Sequence, residues 1–208
     1  RFKSGDIFIG LDNNGNKFTC QLENLFKNSA NFSIQQQEIF LKESSDITLI
    51  QALTKIETFE EILDKSTQLG INVIIPLITE NTTVSPDIFK KKFPRFNKII
   101  KSASEQSQRI FMPELKQIIN FENLINDFNV NEVIISYEKS KIPLKHFLQN
   151  FHLNKVILVC GPEGGFSVQE AILLAEKNYV LASLGKNILR TETAVVTALG
   201  NIIYEKAI

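Results

Sequence analysis

Cysteine is scarce in this sequence. Its 208 residues include only Cys20 and Cys160, far apart and without ligand-like neighbours, so neither a disulfide framework nor a zinc site is indicated and a reducing, cytoplasmic setting fits. Histidine is as scarce. His146 and His152 stand six apart with no acidic or thiol partner at metal-ligand spacing, so no metal is expected. No apolar run approaches the roughly 18 residues of a membrane span. No leader segment is visible, and the chain opens at Arg1 rather than Met, so further residues are expected upstream. With 23 basic and 23 acidic side chains there is no global positive field to draw in nucleic acid. The Gly-Lys-Ser/Thr of a P-loop, the GxGxxG of dinucleotide folds, the GxSxG of a nucleophile elbow and an aromatic RNP pattern are all missing.

What remains is an ordinary globular composition, 43% hydrophobic, long enough for one large domain or two small ones. Residues 6–10, 17–23, 31–37 and 46–53 are rich in Ile, Phe and Thr and are separated by turn formers such as Asp12-Asn13-Asn14-Gly15-Asn16. They predict a small antiparallel sheet or partial barrel. The period then changes. Ile56, Phe59, Ile62, Leu63 and Leu69 follow helical spacing, with Gly70 as the stop. Beyond it the pattern alternates: strands over 72–79, 132–137, 155–160 and 179–184, and helices over 94–109, 122–128, 143–149, 167–178 and 191–206. Alternation of this kind predicts an α/β domain with a mainly parallel sheet covered on both faces. The division is therefore 1–53, a small β domain, and 54–208, the α/β domain.

Ligands of parallel sheets bind at the carboxyl ends of the strands, which singles out the loops after the last two. The first, Gly161-Pro162-Glu163-Gly164-Gly165-Phe166, runs into Ser167-Val168-Gln169-Glu170, a capping box that starts a helix. A turn so poor in side chains lets a ligand approach the backbone, although a plain tight turn has the same sequence. Phe166 is expected to pack beneath it, and Cys160 to be a small apolar filler of the preceding strand. The second loop is Leu184-Gly185-Lys186-Asn187-Ile188-Leu189-Arg190-Thr191-Glu192-Thr193-Ala194. Glu192 suits the first turn of a helix, where its charge opposes the dipole. Arg190 does not: a cation there should reach either a carboxylate or an anionic ligand. Between Asp87 and Arg109 lie seven basic and two acidic side chains, a stripe of net +5 that is either a solvated helix face or a phosphate-binding surface.

GPEGGFS followed closely by LGKNILRTETA resembles the signature pair of the RsmE family of SPOUT RNA methyltransferases. Lys65-Ser66-Thr67-Gln68-Leu69-Gly70-Ile71 with Ile75-Pro76, Ala103-Ser104-Glu105-Gln106-Ser107 with Arg109 and Pro113, and Arg1-Phe2-Lys3-Ser4-Gly5-Asp6 are similar to further segments of that family, so the likeness spans the chain. Gln68, Asn81 and Ser102 stand where the family commonly has Glu, Arg and Glu, which leaves open only local salt bridges and one RNA contact.

The resemblance implies a SPOUT-type domain with a trefoil knot around S-adenosylmethionine (SAM), preceded by a PUA-like β domain that is incomplete at its N-terminus. It implies methylation of N3 of a uridine in small-subunit ribosomal RNA, free or in a ribosomal particle. Gly161, Pro162, Gly164, Gly165, Leu184, Gly185, Ile188, Leu189 and Thr193 would form the SAM slot. Uracil N3 must lose its proton to become a nucleophile, so a cation that stabilises the anion is needed. That role falls to Arg190, with Glu163 or Glu192 as proton acceptor. Lys91, Lys98, Lys101 and Arg109 would contact the RNA backbone. A homodimer is the family's habit, and Val195, Val196, Leu199, Ile202 and Ile203 give the last helix a broad apolar surface that could partly face a partner. The rival readings are a ribose 2′-O-methyltransferase and a non-catalytic RNA-binding protein.

Overall fold

The computed structural model describes residues 2–42, 46–149 and 155–206, so His152 lies outside the described residues. β1 (Ile7–Leu11), β2 (Asn16–Leu25) and β3 (Ala30–Ile39) form a three-stranded antiparallel sheet in that order. Asp12 folds the first turn, its Oδ1 accepting from the Asn14 and Asn16 N–H groups at 2.7 and 3.0 Å. Gly15 is obligatory there. Its φ is +99°, and a Cβ would lie 2.4 Å from the Phe40 carbonyl. The same turn is tied to the rest of the molecule by Asn13 Oδ1, which accepts from Met112 N.

The second sheet begins with β4 (Asp46–Ala52), followed by α1 (Ile56–Gln68), β5 (Val73–Ile78), α2 (Pro86–Lys90), α3 (Phe93–Gln106), β6 (Glu114–Leu115), β7 (Ile119–Asn120) and α4 (Phe121–Asp127). Then come β8 (Val133–Ser136), α5 (Leu144–Leu148), β9 (Lys155–Cys160), α6 (Val168–Glu176), β10 (Val180–Ala182) and α7 (Thr191–Lys206). The strand order is β10-β8-β9-β4-β5-β6, with β7 also on β5, and every pairing is parallel. The α/β expectation holds.

One strand changes sheets. The segment expected to complete the N-terminal sheet, β4, instead lies between β5 and β9, so the large sheet starts at Asp46 rather than after residue 53. The reason is burial: Ile47 through Ala52 are buried on both faces, as a central parallel strand requires and an edge of a small open sheet does not.

Successive residues of the central strands feed two cores. Leu49, Ile74, Ile134 and Leu158 point to one side with Phe59, Ile62 and Leu63 of α1, Phe96 and Ile100 of α3, and Val195, Leu199 and Ile202 of α7. Ile50, Ile75, Ile135, Ile157 and Val159 point to the other, with Leu124 of α4, Leu174 of α6 and Tyr179. Each large side chain so enclosed contributes roughly 1.5–3 kcal/mol of hydrophobic stabilisation. Most of the α7 surface suggested for a partner is therefore occupied by its own protomer; Val196 and Ile203 stay half-buried and Tyr204 is exposed. α1 ends where Gly70 turns to φ +96° and its N–H meets the Thr67 carbonyl. No helix among the described residues is long and apolar enough to cross a membrane.

Candidate active site

The carboxyl ends of β8, β9 and β10 enclose a cleft of about 180 Å³. One wall is the glycine turn from Gly161 to Phe166; the opposite wall is Ser183 to Gly185 and Asn187 to Leu189, continued by Thr191 and Ala194 of α7. Ser136, Tyr137, Glu138 and Cys160 close the floor and side.

The glycine turn is built by local and long-range bonds. Gly165 N donates to the Pro162 carbonyl at 2.9 Å with Gly165 at φ +67°. Gly161 cannot carry a side chain without moving backbone, since a Cβ would stand 3.3 Å from both Gly165 Cα and the Phe166 ring. Its carbonyl accepts from Gln51 Nε2 at 3.1 Å, an amide fully buried at the end of β4. Phe166 is buried and packs on Phe121, as expected. The capping box is present: Ser167 Oγ accepts from Glu170 N at 3.1 Å, and Glu170 Oε2 accepts from Ser167 N at 2.9 Å. Cys160 is the inert filler foreseen, its thiol pushed up to about 12 by burial.

Of the residues proposed for the SAM slot, Gly161, Pro162, Gly164, Gly165, Leu184, Gly185, Ile188 and Leu189 all line the cleft. Thr193 does not; it is exposed, and Thr191 and Ala194 line the wall instead. Helical geometry decides this, because positions three apart share a face and the two residues between them, Glu192 and Thr193, turn away.

The charged candidates separate. Glu163 lines the cleft, but its Oε1 accepts from Lys55 N at 3.0 Å, supplying the N-terminal cap that α1 lacks from its own side chains. Glu192 lies off the cleft, within electrostatic reach of Lys65 on α1. Arg190 stands between the cleft residues Leu189 and Thr191, is exposed, and has no carboxylate partner among the described residues. Of the two partners foreseen for it, no carboxylate is met among the described residues. Glu138 went unnoticed in the sequence. It lines the cleft at the end of β8, its Oε1 3.4 Å from the position of a Cβ on Gly165, and it too lacks a partner among the described residues. The rule about carboxyl ends of parallel strands, applied to β8 as well as to the last two strands, would have found it.

Among the RNA candidates, Lys91, Lys98 and Lys101 are exposed on α3 and the turn before it, with Lys101 3.9 Å from Glu105. Arg109 is reassigned. It is half-buried, donates from Nη1 to the Thr67 carbonyl at 2.9 Å, and so ties the chain after α3 to the end of α1. Desolvation lowers its pKa from the ordinary value. No metal-holding group of His, Cys, Asp or Glu occurs among the described residues.

Residues 42–203 match the model of the RNA methyltransferase domain family. A ribosomal RNA small subunit methyltransferase E from Synechocystis is 32% identical over 97% of this chain and 67% of its own length. One from Rickettsia conorii is 31% identical over 94% of this chain and 78% of its own. The crystal structure of such an enzyme from Neisseria gonorrhoeae, bound to S-adenosyl methionine, superposes with a TM-score of 0.87 at 28% identity, covering 97% of this chain and 84% of that one.

Proposed function

The chain belongs to the RNA methyltransferase domain family, as a relative of the ribosomal RNA small subunit methyltransferase E proteins, and from that membership we propose that it is the SAM-dependent enzyme that methylates N3 of a uridine in small-subunit ribosomal RNA. The observation that carries the proposal is the cleft itself: two backbone-rich loops at the ends of parallel strands, with Arg190, which has no carboxylate partner among the described residues, in sequence between its lining residues Leu189 and Thr191.

The residues present fit SAM. Glycines 161, 164 and 165 leave the turn open to close approach, and Leu184, Ile188, Leu189 and Ala194 offer an apolar wall for a flat base. Glu138 and Glu163 supply negative charge for a cationic ligand. When bound there, SAM supplies a methyl group already activated by its sulfonium.

The remaining chemistry belongs to the chain. N3 lies on the Watson–Crick edge, so the uridine must be unpaired or flipped to enter. Its N3 proton leaves to a carboxylate in the cleft. Glu138, unpaired, is better placed to take it than Glu163, which is engaged with Lys55, or Glu192, which lies off the cleft. Arg190 stabilises the negative charge that develops on the uracil carbonyl oxygens as the proton departs. Lys91, Lys98 and Lys101 hold the RNA backbone.

The same reading includes a trefoil knot in the α/β domain, a PUA-like role in RNA docking for the N-terminal sheet, a cytoplasmic setting and a homodimer. The half-buried Val196 and Ile203 and exposed Tyr204 of α7 support the dimer, and light scattering at micromolar concentration reads its mass. Nucleoside mass spectrometry after incubation with SAM and small-subunit ribosomal RNA tests the activity. A methylated uracil base is the expected product; a methylated ribose or an unmodified RNA would overturn the assignment.

A further inference from the structure

The glycine turn is braced by a side chain from a different strand. Asn81 follows β5, and its Nδ2 donates to the carbonyls of Gly164 at 3.2 Å and Gly165 at 3.0 Å. An amide nitrogen carries two N–H groups, so both bonds form together. They act on successive peptide units, and in a trans peptide the C=O and N–H point in opposite directions. Holding the Gly164 carbonyl on the β5 side therefore presents the Gly165 N–H to Pro162, which closes the turn at 2.9 Å. Holding the Gly165 carbonyl directs the Phe166 N–H away from β5, and that N–H has no acceptor among the described residues.

The neighbouring residue reinforces the brace. Glu80 N donates at 2.9 Å to Oε1 of Glu170, the carboxylate whose other oxygen caps Ser167. The loop after β5 thus grips the turn at two places, residues 164–165 and the start of α6. Asn81 does not itself line the cleft, so whatever it does for a ligand it does through the turn.

We infer that Asn81 is a positioning residue for the cofactor, fixing the two peptide planes of Gly164 and Gly165 in the orientation that the SAM slot needs. The inference rests on the methyltransferase reading above and assigns to this asparagine a cofactor role rather than an RNA contact.

Calorimetry with SAM on the full chain, wild type against Asn81→Ala and Asn81→Asp, tests it. Losing two neutral hydrogen bonds should weaken SAM binding roughly tenfold or more in Asn81→Ala. Asn81→Asp keeps the size but sets a carboxylate against two carbonyls, and should bind SAM no better than the alanine variant. The KM for SAM should rise in step, while kcat at saturating SAM stays within about threefold, since uniform binding alone is lost. RNA affinity should stay close to wild type, and Tm should fall by only a few degrees, as the loss of two neutral hydrogen bonds predicts. Variants that bind SAM within about twofold of a wild type that binds it well would overturn the inference and leave the methyltransferase reading intact. A fall of RNA affinity together with SAM affinity, with Tm lowered by well over ~10 °C, would also overturn it, as the mark of a general structural bond. A wild type that binds no SAM would remove both.

Discussion

Gly165 offers a direct test of the cleft because strain and ligand contact can be separated there. Its φ is +67°, a conformation that costs an L-residue about 1–2 kcal/mol. The three atoms nearest to a Cβ there, at 3.4 to 3.7 Å, all belong to the Glu138 carboxyl, the end of an exposed side chain that can swing aside. Gly165→Ala should therefore fold, with a Tm lower by roughly 2–8 °C for a chain of this size. In the cleft the same methyl meets a ligand instead of a movable side chain. Overpacking a fitted site costs about 1–3 kcal/mol, roughly 5- to 150-fold in SAM affinity. Gly70 is the control. It has φ +96° with nothing within 4 Å of its Cβ position and lies at the end of α1, away from the cleft-lining residues, so Gly70→Ala should lose similar stability and keep SAM affinity. Calorimetric titration with SAM and thermal unfolding on both variants decide the matter. Equal loss of Tm with undiminished SAM binding in both would refute the placement of the cofactor against the glycine turn.

Arg190→Ala should lower single-turnover methylation by roughly two to three orders of magnitude with little change in SAM affinity, and raising the pH should restore part of it by ionising N3 in solution. Weakened SAM binding with a normal rate at saturation would sink the catalytic role. Glu138→Gln should cut the rate by about 100-fold or more while SAM affinity holds; loss of SAM binding instead would make Glu138 a cofactor ligand. Changing Lys91, Lys98 and Lys101 to Glu should weaken RNA binding and flatten its salt dependence without altering SAM affinity, and an unchanged RNA affinity would return the stripe to a solvated face. Cys160 should resist alkylation in the native protein. Because its folded pKa is raised from 9.0 to about 12, its stabilising contribution is complete below about pH 9 and falls as pH rises toward 12, which pH-dependent unfolding would register.

The parts of the fold visible in the sequence are those set by neighbours in the chain. β9 and α7 were expected over the residues where they occur, because a buried run flanked by glycine and a long apolar helix each declare themselves locally. The Ser167–Glu170 capping box was readable for the same reason. α2, β6 and β7 were not foreseen; segments of five and two residues are too short to show a period. β4 looked like a strand and is one, but its sheet was misjudged. Strand character is a local property, whereas its partners β5 and β9 are chosen by a core that forms only when distant segments meet.

The candidate site divides along the same line. One of its walls is largely backbone, and glycines at fixed spacing advertise a backbone surface, so the glycine turn was identifiable as a loop. The duties of its side chains depend on partners far along the chain: Glu163 on Lys55, 108 positions away, and Arg109 on Thr67, 42 away. Asn81 is the sharpest case. In the sequence it reads only as a departure from the family's common arginine. In the fold its amide faces two carbonyls 83 and 84 positions downstream. A short neutral donor with two N–H groups can brace two consecutive peptides without bringing a charge to the glycine turn. The residue at the end of β5 is thus one whose consequence should be read in SAM affinity.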